Sequence, residues 1–241
     1  MLKLENVRLD LPEKENLIND VSLTVNPGKL TVITGPNGGG KTSLAKLIAG
    51  LYIPTSGRIM LDETDITNMS ITDRAKAGIA YAFQQPVSFK GITVRTLMGI
   101  AAGRQMPEMG MCRILEKVGL CARDYMDREM DSHLSGGEMK RIEIATVLAR
   151  GAKYMVFDEP EAGIDLWSFT SLIQAFESLK EDDDVALLII SHQERILKIA
   201  DEIVVISDGV VTNSGKGSDV LPQLVGGNAP GYCPRGKEMF K

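Results

Sequence analysis

The stretch LTVITGPNGGGKTSLAKLIAG, residues 30–50, decides the fold. Its first five residues, LTVIT (30–34), are a short β-branched apolar run that predicts a buried strand. The residues after Gly40 repeat apolar side chains at helical spacing, which predicts a helix over 41–50. Between them, GPNGGGKT (35–42) fits the pattern G-x-x-x-x-G-K-[ST], with strand before and helix after as that pattern requires. Glycines there let successive N–H groups curl around phosphate oxygens, which a Cβ would obstruct. Lys41 would reach the β- and γ-phosphates of a nucleotide, and the Thr42 hydroxyl would ligate Mg²⁺.

Working outward, YMVFD (154–158), VALLIIS (185–191) and EIVVIS (202–207) are further apolar runs suited to parallel strands covered on both faces. Helical patterns near 136–150, 167–180 and 194–200 alternate with them, which predicts an α/β core with right-handed crossovers. LKLENVRL and DVSLTV near the start predict antiparallel strands, and EIVVIS with GVVTNSG predicts a hairpin turning at Asp208–Gly209. From Pro86 to Arg150 the pattern is helical and no strand is expected. A single domain over 1–241 follows: a nucleotide-binding core from 1–85 and 151–215, an inserted helical subdomain over 86–150, and a C-terminal helix with an irregular tail over 216–241.

YMVFDEP (154–160) completes the site. Its strand ends at Asp158, which emerges at the carboxyl edge of the sheet, where α/β ligands bind. Asp158 would hold Mg²⁺, and Glu159 would polarise a water for in-line attack. A second anion site is expected at LSGGEMKR (134–141): two glycines follow Ser135, and an apolar helical face begins behind them. A helix start near Gly136–Glu138, capped by Ser135, would leave free N–H groups and a positive dipole end.

Composition narrows the alternatives. With 44% hydrophobic and 24% charged residues, the 241-residue chain is ordinary globular protein. A net charge of −5 and the lack of lysine or arginine runs exclude a direct nucleic-acid stripe. Cys112, Cys121 and Cys233 lack zinc-type spacing and are expected to be free thiols in a reducing compartment. No apolar run reaches 18 residues and MLKLENV has no signal-peptide pattern, so the expectation is a cytoplasmic protein without direct membrane insertion.

A phosphate loop, an LSGGE segment some twenty residues before a strand ending in DEP, and a histidine after the next strand together resemble the ATP-binding-cassette (ABC) ATPases, from Met1 to about Leu224. The resemblance implies a P-loop, RecA-like mixed sheet with an N-terminal antiparallel β region and an inserted helical subdomain. It also implies ATP and Mg²⁺ as cofactors. Gly35, Pro36, Asn37, Gly38, Gly39, Gly40, Lys41, Thr42 and Ser43 match the nucleotide loop. Ser135, Gly136 and Gly137 match the signature motif, which in that family binds the γ-phosphate of an ATP held by an opposite subunit, so a second copy is an implied partner. Gln84, next to Gln85, matches the glutamine that touches Mg²⁺ and the attacking water; Asp165 matches the interface loop, and His192 the switch histidine. Ala162 replaces a serine common before the interface-loop glycine, and Gly39 stands where serine is frequent. The aromatic residue that the family often stacks on adenine is lacking, and its position falls near Leu11.

Within that family, AFQQPVSFKGITV (82–94) and SHQERIL (191–197) are similar to the SufC family of iron–sulfur cluster assembly ATPases, whereas DEPEAGID (158–165) departs from its usual wording. This implies a soluble iron–sulfur scaffold, SufB- or SufD-like, as partner. The energising subunit of a membrane transporter, partnered by a transmembrane permease, is the alternative.

Overall fold

Two sheets and a helical layer stack around the phosphate loop. The structure is a computed structural model and describes residues 1–131 and 133–225. The N-terminal strands β1 (Leu2–Leu11) and β2 (Lys14–Val25) pair antiparallel as expected, and β3 (Lys29–Thr34) leads into the loop and helix α1 (Lys41–Ala49). Strands β4 (Ser56–Leu61) and β5 (Thr64–Asp65) complete a four-stranded sheet in the order β2-β1-β4-β5. After α2 (Ile71–Lys76) comes β6 (Ile79–Ala82).

The middle of the chain holds β7 (Phe89–Thr93), α3 (Val94–Ala102), α4 (Glu108–Lys117), α5 (Ala122–Tyr125), β8 (Glu129–Met130) and α6 (Gly136–Arg150). Then follow β9 (Tyr154–Asp158), α7 (Leu166–Lys180), β10 (Ala186–Ile190), α8 (Glu194–Ile199), β11 (Glu202–Ser207), β12 (Val210–Lys216) and α9 (Gly217–Val225). The main sheet has the order β12-β11-β3-β10-β9-β6, parallel except for the β11–β12 hairpin.

The continuous apolar runs are explained by burial on both faces. In β10, Leu187 and Ile189 point into the core under the helical layer. Its Ala186, Leu188 and Ile190 point into the core shared with α1 and the antiparallel sheet. The hairpin turns at Asp208 and Gly209, both with positive φ (51° and 77°), as a two-residue turn of this hand requires.

Strands β4 to β8 escaped the sequence reading. In β6 (IAYA) two of four residues are alanine, too small to mark a strand. In β4 (SGRIML) exposed and buried positions mix at a sheet margin. The expectation of no strand over 86–150 is corrected by β7, which pairs antiparallel with β8. The two are separated by three helices and β8 has only two residues, so no local periodicity announces them. The tail beyond Val225, with Cys233, lies outside the described residues; α9 occupies the expected position of the C-terminal helix. Among the described residues, no helix is long and apolar enough to cross a membrane.

Candidate nucleotide-binding site

A cleft of about 550 Å³ opens at the carboxyl edge of the main sheet, and its lining includes Gly38, Lys41, Thr42, Gln84, Glu159 and His192. These four segments meet there because β3, β6, β9 and β10 end side by side in parallel register. The loop backbone fits only glycine at its tightest point: Gly35 has φ 130°, and a Cβ there would lie 2.0 Å from the Ile206 carbonyl oxygen. Asn37, Gly40 and Ser43 also line the cleft, whereas Gly35, Pro36 and Gly39 form the loop beneath it.

Lys41 folds across its own loop, its Nζ donating at 2.8 Å to the carbonyls of Gly35 and of Pro36. Burial lowers its pKa, while Glu159 and Asp158 oppose that shift. Asp158 is fully buried and accepts from the Thr42 hydroxyl at 3.2 Å and from the Tyr81 hydroxyl at 3.1 Å. Its desolvation raises its pKa, with the two hydroxyls opposing. The same burial, followed by the Asp158 charge, raises the pKa of Tyr81, which stays a phenol donor. Thr42 and Asp158 thus present adjacent oxygens without an all-protein cage, and no cluster of three or more ligating side chains occurs among the described residues. That donor set fits Mg²⁺, which takes one or two carboxylates and completes its shell with phosphates and water.

Glu159 sits at φ 46°, a region that costs a non-glycine residue energy, and its N–H donates to Ile190. Its Oε2 accepts from Gln84 Nε2 at 2.8 Å. Gln84, rather than its neighbour Gln85, therefore faces the site. His192 stands at the rim; desolvation and then the Lys41 charge lower its pKa, against Glu159, leaving the imidazole neutral near pH 7.

Four expected residues stand apart from this cleft. Ser135 caps α6 in a full capping box, its Oγ accepting from the Glu138 N–H at 3.2 Å while its own N–H donates to Glu138 at 2.7 Å. Gly136 and Gly137 open the helix. Asp165 caps α7. These two helix starts touch each other: a Cβ on Gly137 would fall 2.4 Å from the Gly163 carbonyl oxygen. Leu11, near which the resemblance puts the adenine-stacking position, is not among the residues that line this cleft. Leu11 pairs with Lys14 across the β1–β2 hairpin, and the cleft wall is made by Lys14 and Leu17, with Lys14 Nζ reaching the Gly38 carbonyl at 3.2 Å.

Several supporting residues were not singled out in the sequence. Lys140, 1% exposed, donates to the carbonyls of Phe83, Gln84 (3.3 Å) and Asp158 (3.2 Å) and pairs with Glu143 at 3.7 Å. Glu143 in turn accepts from the Phe83 N–H at 2.7 Å. Burial lowers the Lys140 pKa and raises that of Glu143, each opposed by the other. Arg74 is fully buried and donates to Ile48 at 3.0 Å and to Leu47, binding the last carbonyls of α1. Glu161 accepts from the Ser191 hydroxyl, tying the segment after Glu159 to the residue before His192. The helical spacing of Lys140 with Ile144 and Val147 could have flagged it as inward-facing; Arg74 gives no such signal.

A model of the family described as "ABC transporter" matches residues 18–162. Over 228 residues the chain is 36% identical to an uncharacterized ABC transporter ATP-binding protein of Methanocaldococcus jannaschii, covering 91% of this chain and 90% of that protein. It is 32% identical to the lipopolysaccharide export system ATP-binding protein LptB of Escherichia coli K12, covering 85% and 86%. A nucleotide-free ATP-binding cassette from an ABC transporter superposes with TM-score 0.78 at 27% identity, covering 100% of this chain and 98% of that one. A dimeric ATP-binding cassette bound to ADP and Pi in a post-hydrolysis state shares the fold, with TM-score 0.80 at 23% identity over 90% of this chain and 98% of that one. These names are those of transporter subunits and favour that alternative over the iron–sulfur assembly expectation. On the family match and the relatives together, the chain belongs to the ABC transporter family and is one of its ATP-binding ATPases.

Proposed function

We propose that this chain is the ATP-driven subunit of a membrane transporter, and that two copies close head to tail around two ATP molecules. One observation carries this: the Ser135–Gly137 helix start, where Ser135 and Glu138 cap each other, lies outside the lining of its own chain's cleft. A second copy would bring its own Ser135 segment to the γ-phosphate. Lys41 gives up its loop carbonyls for phosphate oxygens, and the loop N–H groups surround the rest. Thr42, Asp158 and Gln84 are the residues that would hold Mg²⁺, which neutralises phosphate charge when bound. Glu159 accepts the proton of the attacking water as the new P–O bond forms and the bond to the β,γ-bridging oxygen breaks. His192 and Asp165 would steady the γ-phosphate and the seam between copies. Loss of that phosphate removes a shared ligand, and the pair reopens.

Coupling to a partner fits the groove beside Gln84, lined by Phe83, Val87, Phe89, Leu97, Ile100 and Met130. The names of the relatives support a transmembrane partner. The similarity of residues 82–94 and 191–197 to the assembly ATPases supports a second reading, in which a soluble iron–sulfur scaffold occupies the same groove. Purification from the native source separates the two. The transporter reading predicts recovery from detergent-solubilised membranes with a multi-span protein attached. Detergent-free recovery with a soluble cluster-bearing protein would overturn it in favour of the scaffold.

A further inference from the structure

Trp167 is the single tryptophan of the chain and is 81% exposed; Leu166 beside it is 64% exposed. They are the first two residues of α7, and their backbone is firmly held. Asp165 Oδ1 accepts from the N–H groups of Trp167 and Ser168 at 3.0 Å each. The Ser168 hydroxyl donates to Asp165 Oδ2 at 2.6 Å and accepts from Arg141 Nη1, on α6, at 2.7 Å. Arg141 also donates to the Gly119 carbonyl at 2.9 Å. With the Gly137–Gly163 backbone approach, these bonds make the starts of α6 and α7 one block. Ser135 and Trp167 are therefore presented together.

A large aromatic side chain standing in water on a rigid helix start has little backbone freedom left to lose and much apolar area to bury, the combination that makes an interface anchor. Resting on the head-to-tail reading above, we propose that Leu166 and Trp167 form an apolar anchor of the contact between two copies of this chain, buried when ATP closes the pair. The occupant is a second copy because this surface is continuous with the Ser135 segment, whose ligand that copy would bring. The partner groove beside Gln84 is lined by a different set of residues. In a two-fold pair each anchor is presented twice, so a modest patch acts with double weight.

The test uses the full-length chain carrying Glu159→Gln, with Mg-ATP and with Mg-ADP as control. Light scattering reads the mass, and tryptophan emission reports Trp167 alone. The expected result is a blue shift and reduced acrylamide quenching with ATP but not ADP, in step with a doubling of mass. In the same background, Trp167→Ala should weaken self-association about tenfold or more, and Trp167→Phe less. A doubled mass with unchanged emission and quenching would overturn the anchor and leave the head-to-tail reading standing. ATP binding without any doubling would remove that reading, and the anchor with it. A blue shift that appears only when a partner protein is added would assign Trp167 to the partner and likewise overturn the proposal.

Discussion

Lys140 shows how much of the site depends on residues that do not line the cleft. Its ammonium is buried among three carbonyls from two segments of the cleft, and Glu143 neutralises it. The pair lashes the Gln84 segment and the end of β9 to α6, so Gln84, Asp158 and that helix share one support. Removing one partner of a buried pair leaves the other charge stranded, at a cost of about 3–5 kcal/mol. Lys140→Met should therefore lower unfolding stability by about 3 kcal/mol, and Lys140→Met with Glu143→Leu should recover much of it. Urea unfolding checks this; a single-variant loss below about 1 kcal/mol would show that the pair is not what holds the segment.

At the scale of elements, α6 begins where its sequence says it should. Ser135 and Glu138 cap one another, and the Tyr125 hydroxyl donates to the same carboxylate. Tyr125 first, and then Ser135, hold the Glu138 pKa down to about 2. A depressed carboxylate stabilises the fold above its unfolded pKa, and that contribution fades as pH falls through the folded value. Ser135→Ala should cost about 1 kcal/mol at neutral pH. The stability gap between the parent chain and Glu138→Gln should shrink as pH falls from roughly 4 toward 2, read by unfolding at a series of pH values; a gap independent of pH would remove Glu138 from the cap.

These elements also show what was legible in the sequence. The phosphate loop, the DEP strand end and the capped helix are local patterns, carried by neighbouring residues, and they appear where expected. The pairing of β7 with β8 and the Arg74 staple on α1 join segments distant in sequence, and no local period encodes them. Leu11 lies at the end of the β1–β2 hairpin, whose register decides which side chains face the cleft.

At the scale of the whole molecule, the proposed function divides a phosphate site between two surfaces of the chain that do not meet within it. The cleft would supply loop, Mg²⁺ ligands and base, and the Ser135 block, on another surface, would supply a helix start for the γ-phosphate. In the proposed reading a second copy joins them, and ATP would be both the substrate and the link between subunits. Glu159→Gln keeps the shape of the base but cannot accept a proton, so it should hold that linked state. The most direct test is light scattering of this variant with Mg-ATP, with and without Ser135→Arg, alongside binding of a fluorescent ATP analogue to both. The account predicts equal nucleotide binding by the separate chains, with mass doubling only where Ser135 is intact. Loss of nucleotide binding by the Ser135→Arg monomer, or doubling in spite of the arginine, would contradict it.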